Sequence, residues 1–284
     1  MSAIHAANPT RAAFSPAARF MLAGGGILLV LALAATAAPL IAPHDPEAMD
    51  VNQVLGALSW VHPFGSDVLG RDVLTRVIFG LRASLMVSIS AVAASLALAV
   101  PLGLVAGYFG RWLDGAISRV LDMILVLPAM LLAITFIAIL GPGSAVAASA
   151  IAVIYLPILA RVMRTSTLVV SRHDYVAGAR ARGASHLRVI VSHVAPNALG
   201  PVIVQASILS AFALQLEAGL SFLGLGTQPP TPSLGGMLAD GRDVLGQAPW
   251  VEIFPGLAIV AAVIAFSLLG EGLRRVFDPD GGAE

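Results

Sequence analysis

Charged residues cluster along this chain and leave long stretches without any: Phe20 to Ala42, Ala83 to Phe109, Met123 to Ala160, Ala198 to Leu216 and Ile253 to Gly270. About 20 mostly apolar residues carry an α-helix across the hydrocarbon of a bilayer. Each run reaches about that length, and the longest is interrupted by Gly141, Pro142, Gly143 and Ser144, a concentration of turn formers. The pattern predicts six crossings. These are 20–42, 83–109, a third helix ending near Leu140, a fourth from about Ala145 to Val170, a fifth from about Ala198 to Leu220, and a sixth from about Val251 to Gly270. Helices are expected because a spanning segment must satisfy its own backbone N–H and C=O groups in lipid, and Pro101, Gly103 and Gly107 in the second are tolerable where neighbours re-satisfy the backbone.

The polar stretches divide the rest. Residues 1–19 form an N-terminal tail. The apolar run after Arg11 and Arg19 is longer than the roughly 7–15 residues of a signal-peptide core and is followed by further spans, so an uncleaved first helix is expected. Residues 43–82, with Asp45, Glu47, Asp50, Asp67 and Asp72 among Arg71, Arg76 and Arg82, read as an extramembrane amphipathic segment. Beyond it, 83–273 forms a five-helix core carrying a polar, basic loop at 171–197 and a Pro- and Gly-rich loop within 221–250, before a charged tail at 274–284.

Composition sharpens this picture. Hydrophobic residues make up 58% of the chain and charged residues 11%, against roughly 25% charged in a soluble domain. The net charge of zero gives no global attraction to nucleic acid. With no cysteine, thiolate metal sites and disulfides are excluded. All 16 basic residues are arginine, so the lysine of a standard phosphate-binding loop is missing and any ATPase must be a partner. With the N-terminus inside, the inner side collects Arg11, Arg19, Arg111, Arg119, Arg161, Arg164, Arg172, Arg180, Arg182, Arg188, Arg274 and Arg275. Only Arg71, Arg76, Arg82 and Arg242 fall outside, as the positive-inside rule requires, and Trp112 and Trp250 fall at predicted interfaces.

The inner loop at 171–197 is where a membrane protein without a nucleotide site would meet an engine. Asp174 is suited to cap a helix beginning near Tyr175. The helix is thinly clad by Ala177, Gly178, Ala179, Ala181, Gly183 and Ala184, which lets another surface approach, while Arg180, Arg182 and Arg188 offer charges. Gly183 interrupts it and Pro196 marks entry to the fifth crossing. At these residues the sequence resembles the permease subunits of bacterial ABC importers, whose loop carries Glu-Ala-Ala, three residues, Gly, nine residues, Ile-x-Leu-Pro. Ala177, Gly178 and Ala179 stand at the first three positions, Gly183 at the glycine, and His193, Val194, Ala195 and Pro196 at the end. The family's glutamate is replaced by Ala177 and its Leu-Pro by Ala195-Pro196.

More specifically, the chain resembles the C-type permeases of dipeptide, oligopeptide and nickel importers over nearly its whole length. The matching segments are His62-Pro63-Phe64-Gly65-Ser66-Asp67, Leu69-Gly70-Arg71-Asp72, Tyr175 to Asn197, Leu220 to Gly226, Gln228 to Pro232, Ala248-Pro249-Trp250 and Phe254-Pro255-Gly256. The resemblance implies an all-α, six-helix permease bundle of the type I importer class in a bacterial cytoplasmic membrane, with both termini cytoplasmic and lipid around it. It implies as partners a second homologous permease, two ATP-binding subunits and an extracytoplasmic solute-binding protein, with no cofactor and no bond chemistry on this chain. The implied work is alternating access for a small solute such as a short peptide, driven through the 171–197 loop.

Four features stand apart. An acid in a span is costly and functional by default; counting helical rise places Glu217 near the outer interface, either bonded to nearby backbone or lining the pathway or its gate. Asp122 is placed at the inner end of the third helix. His186 and His193, seven apart, could share a helix face as a metal pair, but with Gly183 nearby and no third ligand they read as packing or phosphate-side polar residues. Gly-Arg-Asp-Val-Leu occurs at 70–74 and again at 241–245, which marks Arg71, Asp72, Arg242 and Asp243 as candidates for contact with the binding protein, unless one helix-start pattern is simply used twice. The competing class, an ion-coupled secondary transporter, calls for acids at midplane and inverted repeats; Asp122 and Glu217 are expected near the two surfaces instead. A membrane enzyme would need a metal constellation or a paired nucleophile and base.

Overall fold

A computed structural model gives the architecture and describes residues 16–277; most of the tail predicted at 1–19 and the end of that at 274–284 lie outside the described residues. It is helical, in the order α1 (Pro16–Thr36), α2 (Ala38–Ile41), α3 (Val73–Phe109), α4 (Arg111–Leu125), α5 (Ala129–Leu140), α6 (Ser144–Val170), α7 (Asp174–Ala181), α8 (His186–Val189), α9 (Ala195–Phe222), α10 (Leu234–Arg242) and α11 (Trp250–Phe277). Five helices are long and apolar enough to cross a membrane: α1, α3, α6, the α8–α9 rod and α11.

The third predicted crossing differs from expectation. Where one helix through Asp122 to Leu140 was foreseen, α4 and α5 meet at 88° across a break at Val126–Pro128. Pro128 has no N–H to donate back into α4, and the residue before a proline is driven out of the helical region. α5 is only 12 residues, about 18 Å, so the sixth crossing exists only as a bent pair. The second helix also begins earlier than predicted, at Val73, because Asp72 caps it: its carboxylate accepts from the Thr75 N–H at 2.8 Å. The expected amphipathic segment at 43–82 therefore ends at Asp72.

Two apolar cores hold the bundle. The larger joins α3, α6 and α9 around Val92, Ala99, Ile151, Leu159, Met163, Val202 and Leu209; the smaller joins α1, α10, α11 and the later part of α9 to the start of α3 around Val73, Leu81, Leu214, Leu234 and Phe266. Between α3 and α6 the packing is at backbone range. A Cβ on Gly103 would stand 2.5 Å from Met163 Cβ and 2.7 Å from the Ala160 carbonyl, and one on Gly107 would stand 2.6 Å from the Arg164 carbonyl. Two glycines four apart on one helix face let the helices approach closely, the arrangement favoured where lipid supplies no hydrophobic drive between helices. Exposed Leu22, Leu29, Val30 and Leu33 on α1 form a surface suited to lipid.

Ends that the predicted topology puts on the same side touch one another. At one end Arg164 forms a two-pronged pair with Asp114, and Arg161 reaches Asp122 at 2.7 Å, binding α4 to the end of α6. At the other, Ser144 and Thr227 hydroxyls meet at 2.9 Å, and Trp250 donates its indole N–H to the Ser66 carbonyl at 3.1 Å. Trp250 is thus half-buried and bonded within the chain.

Candidate functional site

The 171–197 segment folds into a short two-helix unit against the end of α3. Val176, Ala179, Val189 and Val194 are buried beneath it, and Tyr108 near the end of α3 is its seat. The Arg180 guanidinium lies over the Tyr108 ring at 4.7 Å, and Tyr108 OH bonds His186 Nδ1 at 3.0 Å. Asp174 does not cap α7. His173 occupies the capping position, and Asp174 is the first helical residue, where a negative charge still complements the helix dipole.

Gly183 ends the helix as expected, with φ +81°. Its N–H donates to Arg180 O at 2.9 Å, and the next N–H, of Ala184, reaches back to Ala179 O at 3.2 Å. Those two bonds form a Schellman C-cap, whose left-handed residue is normally glycine because it has no Cβ to clash. Ser185 then caps α8, and the turn Ile190–Val194 widens into π geometry before Pro196. Widening relieves the contact between a proline ring and the carbonyl four residues back, and leaves the His193 carbonyl free to accept from the Asn197 side chain at 2.8 Å.

Among the residues the unit turns outward are Asp174, Tyr175, Ala177, Ala181, Arg182, Gly183, Leu187, Arg188 and Val191. Leu187 is 72% exposed and Val191 59%. The sequence reading missed these two; their four-residue spacing beside the charged, small-residue helix was the available signal. It also missed Tyr108, 78 residues from His186, which no local pattern marks. Gly178 is half-buried, Ala179 faces the scaffold, Arg180 is exposed with its guanidinium laid over Tyr108, and His193 and Pro196 serve the entry to α9.

Glu217 does not reach the surface of the subunit. It is fully buried inside the subunit, where Ser221 Oγ donates to its Oε1 at 2.7 Å and the buried Ser84 of α3 is the other polar side chain beside it. It lines no open surface in this conformation. The two Gly-Arg-Asp-Val-Leu copies are used differently. In the first, Arg71 and Asp72 are buried: Arg71 donates to Asp67 at 2.6 Å and reaches Asp240 of α10 at 3.4 Å, while Asp72 caps α3. Burial raises the Asp240 carboxyl above its ordinary value against the pull of Arg71 and Arg76. The second copy ends α10 instead of starting a helix, leaving Arg242 and Asp243 exposed and paired with each other at 3.1 Å. Only this copy is free to meet another protein.

Comparison with known proteins agrees with the whole-chain pattern. Residues 99–280 match the family described as binding-protein-dependent transport system inner membrane component, and residues 19–57 match the N-terminal TM domain of oligopeptide transport permease C. The chain is 40% identical over 276 residues to the dipeptide transport system permease protein DppC of Alkalihalophilus pseudofirmus, covering 96% of this chain and 91% of that one. It is 41% identical to the di/tripeptide permease DppC of Pseudomonas aeruginosa (90% and 87% covered) and 40% identical to the glutathione permease GsiD of Pectobacterium atrosepticum (90% and 85%). The MetNI methionine ABC transporter shares the fold at a TM-score of 0.58 and 18% identity, over 72% of this chain and 96% of that one. From the matched family models and the near-complete alignment, this chain belongs to the binding-protein-dependent transport inner membrane components, and within them to the C-type permeases of ABC importers.

Proposed function

We propose that the chain is the translocation subunit of an importer for short peptides, and that the surface built by α7 and α8 receives an ATP-binding subunit. The observation that supports this most is the two-sided construction of that surface. Its inner face is locked by Val176, Ala179, Val189 and Val194, while Tyr175, Ala177, Leu187 and Val191 stand uncovered. Apolar side chains exposed beside arginines suit a protein surface better than water. The solute follows the names of the relatives: dipeptide, di/tripeptide and glutathione permeases handle short peptides. The assembly comprises this chain, a second homologous permease, two ATP-binding subunits and an extracytoplasmic binding protein that contacts Arg242 and Asp243. Both termini face the cytoplasm. The test is uptake of labelled di- and tripeptides by cells carrying the intact importer, against cells lacking this chain alone. Loss of uptake on deletion, restored by the gene, is expected; unchanged peptide uptake would overturn the solute assignment.

Orientation has its own test. The chain contains no cysteine, so a thiol introduced at Ala181 or at Gln247, both exposed, is the only one present. A membrane-impermeant maleimide applied to intact spheroplasts should label Gln247→Cys and spare Ala181→Cys until the membrane is opened. Labelling of both from outside would refute the proposed sidedness.

A further inference from the structure

The outer segment brings His44, His62 and Asp72 together from three separate stretches of chain: the turn after α2, the loop before α3 and the N-cap of α3. One nitrogen from each imidazole and one carboxylate oxygen lie within 4.8 Å of one another. His62 Nδ1 is 2.9 Å from Asp72 Oδ1, and His44 Nδ1 is 3.8 Å from Asp72 Oδ2. The two rings stack at 4.7 Å, 26° from parallel. Stacking alone does not account for the arrangement, because His44 Nδ1 is buried and makes no hydrogen bond. A buried polar atom without a partner costs about 1–3 kcal/mol. Asp72 meanwhile has one oxygen held by the Thr75 N–H, which fixes the carboxylate in place.

We propose that His44, His62 and Asp72 form a binding site for a divalent transition ion of the Zn2+ class. Two imidazole nitrogens and one carboxylate oxygen are the donor set such an ion takes, with a fourth position left to water. Tetrahedral ligands at bonds of about 2.0–2.1 Å stand roughly 3.3 Å apart, so closure from the present spacing is a shift of about 1.5 Å or less. His44 supplies it, since its side chain is one-third exposed and sits on a turn, while Asp72 is 1% exposed and fixed. Ligation through Nδ1 requires the neutral His62 imidazole to carry its single proton on Nε2, so the ion takes the place of the Nδ1–Asp72 hydrogen bond. The fourth position opens on the side of His44, the most exposed of the three. Bound ion would give the orphaned His44 nitrogen its partner and tie the outer segment to the start of α3.

The experiment uses the purified full-length permease carrying a histidine-free affinity tag, stripped with chelator and then titrated with Zn2+ by calorimetry, with bound metal counted by elemental analysis. About one Zn2+ per chain is expected, with a dissociation constant in the micromolar range or tighter and a rise in thermal midpoint. His44→Ala should remove the bound metal or weaken binding by at least about tenfold, without loss of the folded protein. His62→Gln, which keeps a polar partner for Asp72, should do the same. His5, His173, His186 and His193 remain in both variants and report any adventitious binding. Zn2+ bound equally by wild type and His44→Ala, or no binding by wild type below about 100 μM, would overturn the proposal.

Discussion

Valine at position 103 is expected to remove most of the folded subunit from the membrane. The site allows no Cβ: an added carbon would stand 2.5 Å from Met163 Cβ, 2.7 Å from the Ala160 carbonyl oxygen and 2.9 Å from the Arg164 backbone nitrogen. Two of those three neighbours are backbone of α6, which cannot swing away as a side chain tip would. Overpacking a core costs about 1–3 kcal/mol when side chains can give, and here α3 and α6 must move apart along the larger apolar core. Gly25→Val on α1 is the matched control, because nothing lies within 4 Å of its Cβ position. Membrane abundance and a monodisperse elution profile in mild detergent should be retained by the control and lost by Gly103→Val. Equal abundance and profile for the two would show that the α3–α6 contact is not a glycine-dependent close approach.

Gly183→Val should behave in the opposite way, leaving the protein inserted and folded while cutting peptide uptake at least about tenfold. The residue lies at φ +81°, outside the apolar core, and no atom lies within 4 Å of its Cβ position. The clash is therefore with the valine's own backbone. A left-handed conformation costs an L-residue roughly 1–2 kcal/mol, and β-branching adds to it. That strain falls on the Schellman cap that turns α7 into α8, so the exposed surface is displaced without unfolding the bundle. Ala177→Glu should be tolerated, since position 177 is exposed in the early part of α7, where negative charge suits the dipole. Uptake should be measured at matched abundance together with co-purification of the ATP-binding subunits. Normal uptake by the valine variant would detach this loop from coupling.

The crossings were legible because lipid imposes a length and a composition on them; the fourth, expected over 145–170, is α6 at Ser144–Val170, although its last ten residues pass beyond the charge-free run and α11 likewise continues seven residues past Gly270. Gly183 was legible for the same kind of reason: one local rule fixes a glycine past the end of a helix. The bend between α4 and α5 was hidden, since a straight and a broken helix carry the same apolar content, and the sole local sign was Pro128. The start of α3 was misplaced because Arg76 looks like a surface residue. It is buried instead, donating to the Pro46 carbonyl at 2.9 Å beside Asp67. Helical rise counts Glu217 along its helix but does not give the direction its side chain takes, which is inward toward Ser221 and α3. The outer motif's internal role depends on partners far away in sequence, Arg71 with Asp240 across 169 positions and Trp250 with Ser66 across 184. No window along the chain contains such pairs.

From His186 to Phe222 the chain runs as one rod of 37 residues, about 55 Å from end to end. Its foot carries Leu187 and Val191, and its head carries Glu217 and Ser221 next to the outer loop. A rod of that length acts as a lever: turned by about 10° at its foot, it sweeps its head through roughly 10 Å. The π-wound turn Ile190–Val194 belongs to the foot, and the α-helical shaft Ala195–Phe222 continues above it. With the proposed ATP-binding subunit docked at the foot, a small stroke there would be geared up into a displacement several times larger at the head, with the gain set by the length of the shaft.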